Sequence, residues 1–515
     1  MSDSTETQDN AIKYPELVFG LIGAVGTDAV EILDALAHSL KQVRYKLVPV
    51  RLIDGVRQLE KWRNIATEPL DLRYTSHMDA GNEFRKLLGR GDALALIGAA
   101  SIAKERVNIT KEAGKPASRT AYVLRSLKRP EEVSTLRDIY GRNFFTLAAY
   151  SPKSKRIDRL ANKIAESRTM ARSTGIETIA KELIDRDEAE LQEKFGQNIR
   201  EAFPSSDFFV DADSSKLQQQ ITRIVELIFG NTFHTPTRDE YGMFHAWAAS
   251  LRSASLGRQV GAAICTDEGD LLATGCNEVP KAHGGLYWSD DDPDERDHMR
   301  GEDSNDVIKN EILADLLTRM QQGKWLNKEK SKMPVEKLLR EALADPSPMG
   351  LKKATLMGIT EYGRMVHAEM AALLQAARLG IPIKEAVLFC TTFPCHNCTK
   401  HIVAAGIARL TFIEPYPKSR ASELHGDSVA VEAEKEDKNH VCFKSFVGVS
   451  PRQYFSLFSV GDLARKERSK VKKWKPEDAS PRLAETPFAY LPREEETLVT
   501  FDKLLKKINL SLVEN

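Results

Sequence analysis

The chain is short of the features that would tie it to a large charged or apolar partner. Its 515 residues carry 74 basic and 74 acidic side chains, a formal net charge of zero. Without an excess of one sign, no global field draws it to nucleic acid or to a membrane surface. A small anionic substrate is not excluded, since it needs only a local patch of cations. Six cysteines are few for this length, so a disulfide framework is not expected. The longest mostly apolar stretch, residues 93–103, is too short to cross a bilayer. The first ten residues, MSDSTETQDN, have neither the basic nor the apolar part of a secretory leader. A cytoplasmic protein with no membrane partner is the expectation.

What remains is the composition of a folded globular chain, 42% hydrophobic and 29% charged, with a mean hydropathy of −0.37. Length alone suggests about three domains. Residues 17–23 (LVFGLIG) are an apolar run with glycines at its end. Residues 28–41 have helical periodicity, with Val30, Leu33, Leu36, Ala37 and Leu40 on one face, and 46–52 alternate as a strand. Strand, glycine turn, helix and strand open an α/β unit. Further strands are expected at 93–97, 120–124 and 144–149, and helix at 176–195 and 217–229. The polar run from Asn231 then reads as a boundary. A second α/β pattern follows, with helices at 241–255, 366–379 and 395–404 and strands at 260–266, 271–275, 387–391 and 410–413. Residues 279–362 are a long polar insertion without a strong strand. The expected division is a polar, disordered start at 1–15, a domain at 16–230, a second at 231–460, and a basic extension at 461–515. Within that extension, residues 465–475 (RKERSKVKKWK) read as a solvated helix or tail, or as a contact for a polyanion.

Two motifs carry chemistry. Val366-His367-Ala368-Glu369 opens a helix, and Pro394-Cys395-His396-Asn397-Cys398 follows a strand. Cysteines three apart at a helix N-terminus can turn both sulfurs to one point, and the helix end favours thiolate. With His367 they make three ligands, which leaves the fourth position of tetrahedral Zn2+ for water. Glu369 is then placed to move protons, the H-x-E with P-C-x-x-C pattern of zinc deaminases. The bland alternatives are a structural zinc knuckle completed by His396 or His401, or a redox pair. Neither needs the upstream H-x-E.

Upstream, residues 258–264 (RQVGAAI) and 273–278 (ATGCNE) resemble the early strands of the deoxycytidylate deaminase family. That resemblance implies substrate binding by Asn277, with Arg258 as a phosphate contact and Tyr416 beside the nucleotide. Glu278 stands where the family has a glycine. Segments 20–26 (GLIGAVG), 119–130 (RTAYVLRSLKRP), 416–428 (YPKSRASELHGDS) and 446–452 (FVGVSPR) extend the likeness. With them the whole chain resembles the bacterial anti-phage dCTP deaminases. The fold this implies is α/β throughout: an N-terminal P-loop NTPase-like domain and a C-terminal cytidine-deaminase-like α/β/α domain with a mixed sheet. The implied activity is deamination of dCTP and dCMP to dUTP and dUMP, which depletes dCTP during phage infection. A small inhibitory RNA is the partner implied for one branch, and a homo-oligomer is the implied assembly. Two rival readings are a deaminase that edits polynucleotides and a non-catalytic nucleotide or RNA sensor with structural zinc.

Gly20, Gly23, Gly26 and Thr27 lie where a phosphate-binding loop belongs, between strand and helix. Aligned on Gly26, the loop has Thr27 for the usual Lys and Asp28 for the hydroxyl residue. Backbone amides there could still cradle an anion, although Asp28 would repel one. A degenerate, regulatory domain is the reading that follows.

Overall fold

Two contact-dense units divide the chain in the computed structural model, which describes residues 13–190, 193–344, 350–416, 419–432, 439–461, 463–482 and 488–510. Unit 1 is Met1–Glu240 with Phe446–Asn515, and unit 2 is Tyr241–Ser445. The fold is mixed α/β, with parallel and antiparallel strand pairs. Among the described residues no helix is long and apolar enough to cross a membrane. Of the polar start expected to be disordered, residues 1–12 lie outside the described residues, as do Pro417 and Lys418.

In unit 1, β1 (Leu17–Gly23) is buried along nearly its whole length, as a central parallel strand must be. Connected to it through α1 (Ala29–Gln42) is β2 (Lys46–Arg51); β3 (Thr120–Arg125), β4 (Phe144–Tyr150) and β5 (Phe208–Asp211) complete the parallel set. Their spatial order is β5-β4-β1-β3-β2, and the short strand Gly448–Val449 adds antiparallel to β5. Helices α2 (Leu70–Leu88), α3 (Ala93–Thr110) and α4 (Thr174–Glu188) lie between strands in sequence.

Three expectations are corrected here. The strand expected at 93–97 is the first turn of α3; its residues 93–99 are all buried, and a continuous apolar run carries no period to separate helix from strand. In α1 the buried face is Ile32, Ala35, Leu36, Ser39 and Leu40, whereas Val30 is 58% exposed. Asp28 is not part of that helix but caps it, accepting from the amides of Val30 and Glu31. The basic run at 465–475 holds an exposed two-stranded hairpin, Lys466–Glu467 against Lys470–Val471, rather than a helix.

The unit boundaries also fall elsewhere than the composition suggests. Glu240 is buried in unit 1, where its carboxylate accepts from Arg223 at 2.7 and 2.8 Å and from the amide of Val449 at 2.8 Å. Phe446 packs its ring edge-on against Phe209, 5.7 Å between centroids. The helix Tyr490–Lys507 sinks Tyr490, Phe501 and Leu505 into the same core. Residues 446–515 therefore supply sheet and core to the N-terminal unit, which short-range patterns cannot reveal.

Unit 2 is built on a mixed sheet: β6 (Gly261–Cys265), β7 (Leu271–Cys276), β8 (Val387–Thr392), β9 (Arg409–Glu414), β10 (Val429–Val431) and β11 (Val441–Ser445), in the order β7-β6-β8-β9-β11-β10. β6 pairs antiparallel with both β7 and β8, and from β8 outward the pairs are parallel. Helix α5 (Ala368–Leu379) packs on β7 and β6, and α6 (His396–Ala404) follows β8. The insertion forms helices Ser304–Gln322 and Val335–Ala344, which share a small core of Leu313, Leu317 and Leu338.

Candidate active site

The site is assembled where α5 and α6 begin. Gly275 in β7 lets α5 approach closely: a Cβ there would lie 2.3 Å from the carbonyl oxygen of Ala368. His367 is the N-cap residue of α5 and Cys395 that of α6, so both motifs sit at helix N-termini as their spacing predicts. Pro394 lies between the end of β8 and this cap. The Sγ atoms of Cys395 and Cys398 are each 3.4 Å from Nδ1 of His367. All three ligand atoms lie within 4.8 Å of one another, and both sulfurs are buried.

This donor set suits Zn2+. A soft thiolate pair with one imidazole gives three ligands, as in catalytic rather than closed structural sites. His396 and His401 do not join the group among the described residues, which removes the fourth ligand that a zinc knuckle requires. Cys395 is also poised for thiolate. Cys395 is held down to about 4, first by the hydrogen bond from Cys398 and then by His367 beside it. Cys398, the donor of that bond and buried, is pushed up.

Glu369 is 4% exposed in the first turn of α5, beside Cys398. Burial raises its carboxyl above the usual range, opposed by His367. A raised carboxyl holds its proton more readily, which suits a group that must hand one on. A cavity of about 210 Å3 opens onto His367, Glu369 and Cys395, and is lined further by Arg258, Asn277 and Tyr416.

The structure thus brings all three substrate candidates to the metal group, but it engages them first with the protein. Asn277 accepts from the amide of Val260 at 2.7 Å and donates to the carbonyl of Arg258 at 2.8 Å. Arg258 pairs with Glu414 and lies over the ring of Tyr416, 5.3 Å from its centroid. Glu414 also accepts from Thr392 Oγ1 at 3.2 Å. Burial, and then the negative charge at Cys395, raise the hydroxyl of Tyr416.

Glu278 is the functional neighbour that the sequence left unexplained. It is 1% exposed and accepts the amides of Ala254 at 2.8 Å and Val279 at 2.9 Å. It fixes the loop that carries Asn277. The signal was an acid in place of a small turn residue, but its two amide partners are set by tertiary folding.

The glycine loop of unit 1 is far less open to a ligand than its position suggests. The amide of Val25 donates to Asp187 Oδ2 at 2.7 Å, and Lys128 pairs with the same carboxylate at 2.8 Å. Gly26 has φ +90 and lies against Arg156, where a Cβ would meet backbone at 2.6 Å. Gly23 and Thr27 line a cavity of that unit, whereas Gly20 lies within β1 against Leu127 and Phe144.

Comparison with known proteins agrees with the site. Residues 236–414 match the family model for the cytidine and deoxycytidylate deaminase zinc-binding region. The chain therefore carries a deaminase domain in its C-terminal part, with Zn2+ as its cofactor and His367, Cys395 and Cys398 as the group able to bind it. A 53-residue segment is 42% identical to ComE operon protein 2 of Bacillus subtilis (strain 168), over 10% of this chain and 28% of that protein. The deoxycytidylate deaminases of Enterobacteria phages T2 and T4 are 42% identical over 55 residues, 11% of this chain, and 29% and 28% of theirs. The match spans less than a third of the length of these curated relatives. The dCMP deaminase of cyanophage S-TIM5, solved with dCMP and dUMP, aligns over 41% of this chain and 98% of its own, with a TM-score of 0.22 and 18% identity.

Proposed function

We propose that unit 2 hydrolyses the 4-amino group of free deoxycytidine nucleotides, dCTP and dCMP, giving the uracil nucleotide and ammonia. The observation that carries this reading is the burial of Glu369 beside the His367, Cys395 and Cys398 group, at the floor of a cavity lined by Asn277 and Tyr416. His367, Cys395 and Cys398 would hold Zn2+, which when bound would supply the Lewis acidity that makes water a nucleophile for C4 of the ring. Glu369 takes the proton of that water and passes it to ring N3. It would then take the remaining hydroxyl proton at C4 and hand it to the amine as the C–N bond breaks and the carbonyl forms, so one water is consumed and one ammonia released. Asn277 is already oriented by Val260 and Arg258, which fixes its amide toward the sugar without loss of rotamer freedom on binding. Arg258 reaches a phosphate by exchanging Glu414 for it. Tyr416 covers the base from the side of β9.

Depletion of dCTP in defence against phage is the biological role that follows from dCTP as substrate. A small RNA that restrains the enzyme, a homo-oligomeric assembly and a cytoplasmic location belong to the same reading. The polynucleotide-editing rival is disfavoured by the zero net charge of the chain, which offers no general attraction to a nucleic-acid backbone. A sensor with structural zinc has no use for a buried Glu369.

The test is an assay of the full chain with zinc on dCMP, dCTP, CMP and CTP, with single-stranded DNA as a fifth substrate. Uracil product from dCTP and dCMP, absent with Glu369→Ala, is expected. Product from DNA alone would move the assignment to the editing reading, and no product from any substrate would reject catalysis.

A further inference from the structure

Outside the zinc site, a cluster of unpaired charge lies in unit 1. A cavity of about 260 Å3 sits at the carboxyl ends of β1, β2, β3 and β4. In an open parallel sheet that is the edge where ligands bind, at the point where successive connections leave in opposite directions. Here the chain passes from β1 to β2 on one side and on to β4 on the other.

Four arginines line this cavity; Arg85 is committed to Glu132, and the other three are Arg51 from the end of β2, Arg125 from the end of β3, and Arg73 from α2. Among the described residues none of the three has an ion pair or a side-chain hydrogen bond. Arg125 is lowered from its ordinary value by burial first, and then by Arg51 and Arg73, with Asp54 opposing. Like charges gathered without partners raise the energy of the fold, so their presence calls for an anion. Two further polar atoms facing the cavity are buried and unpartnered, Nε2 of His77 and Oγ1 of Thr27. Tyr74 and Met78, from the same helix as Arg73, add an aromatic and a thioether surface to the lining.

The glycine loop does not meet that need. Its Val25 amide is taken by Asp187, whose charge Lys128 offsets, and Asp28 caps the helix that follows. The protein's own carboxylates occupy the places where a phosphate would sit on such a loop.

We propose that this cavity binds a nucleoside 5′-phosphate, with the phosphate on Arg51, Arg73 and Arg125 and the base against Tyr74 and Met78, and that the glycine loop takes no part in holding the phosphate. Guanidinium forks match phosphate oxygens in pairs, and a planar base suits an aromatic and thioether wall. The site is independent of the zinc centre, and the proposal stands or falls apart from the deaminase reading.

Calorimetric titration of the full chain with AMP, dGMP, dTMP, ATP and inorganic phosphate tests it. At least one monophosphate should saturate one site per chain, with affinity weakened tenfold or more in Arg125→Gln and in Arg73→Gln. Melting curves identify which variants are folded, and Arg51→Gln replaces either one that is not. Absence of saturable binding by the nucleotides overturns the proposal, as does an affinity that the folded variants leave unchanged. Inorganic phosphate binding as tightly as the nucleotides overturns the nucleoside assignment. Hydrolysis of ATP at this site overturns the exclusion of the glycine loop.

Discussion

Glu278 and Val366 form an isolated antiparallel bridge, in which the amide of Val366 donates to the carbonyl of Glu278 at 3.0 Å and the reverse bond is 3.3 Å. It joins the residue after Asn277 to the residue before His367. The Asn277 loop and His367 are thus joined by one pair of backbone hydrogen bonds, while the Glu278 side chain anchors the same loop to Ala254.

Glu278→Ala should therefore damage binding more than chemistry. It leaves two buried amides without acceptors, at a cost of about 1–3 kcal/mol each. Thermal melting should fall accordingly, and KM for the deoxycytidine nucleotide should rise with a smaller change in kcat. An unchanged KM would mean that the Asn277 loop does not depend on Glu278.

Glu369→Gln keeps the size of the side chain and removes its proton-carrying role. A loss of about 10²–10⁴ in kcat is expected, with the zinc content of the purified protein unaltered. Cys395→Ser should instead lower the metal content itself, because one thiolate ligand is gone. Metal analysis beside the kinetics separates the two cases.

His77 should make unit 1 sensitive to acid. Its folded value is lowered from 6.5 to about 4, by burial first and then by Arg73 and Arg57, with Asp54 opposing and Arg51 adding. Between those values the unfolded chain binds the proton and the folded one does not, so stability is full above about pH 6.5 and lost as pH falls toward 4. The melting temperature of His77→Gln should gain on that of the parent across this window. Parallel curves would show that His77 titrates normally.

Glu494→Ala tests whether the C-terminal helix belongs to the core of unit 1. Arg106, 3% exposed, lies between Glu16 and Glu494, and Tyr140 donates to Glu494 Oε1 at 2.6 Å. Removing one partner of such a buried set costs about 3–5 kcal/mol. Glu495→Ala, at the exposed next position, should change stability by no more than about 0.5 kcal/mol. Equal melting temperatures for the two variants would contradict the packing.

Most of unit 2 was legible because its signals are local. The strands at 261–265, 271–276, 387–392 and 409–414 fall within a residue or two of where alternation and turn residues put them. The helix α3 was misread because an unbroken apolar run has no period. The buried face of α1 was misplaced because a polar residue, Ser39, is buried on it against the distant Thr222, while apolar Val30 is left exposed. The Arg258 and Glu414 pair, the Glu278 contact with Ala254 and the Asp187 contact with the glycine loop span from 24 to 162 residues and leave no mark on local pattern.

What the sequence determined by itself is the chemistry of the zinc group. Residues two and three apart at helix starts converge by the geometry of one helical turn, so His367, Glu369, Cys395 and Cys398 could be chosen without a structure. Only the tertiary structure decided that Glu278 braces the substrate loop, that residues 446–515 complete unit 1, and that Asp187 fills the glycine loop while three arginines beside it stay unpaired. Those arrangements depend on which distant side chains meet once the sheets have closed, and burial, rather than sequence spacing, selects among them.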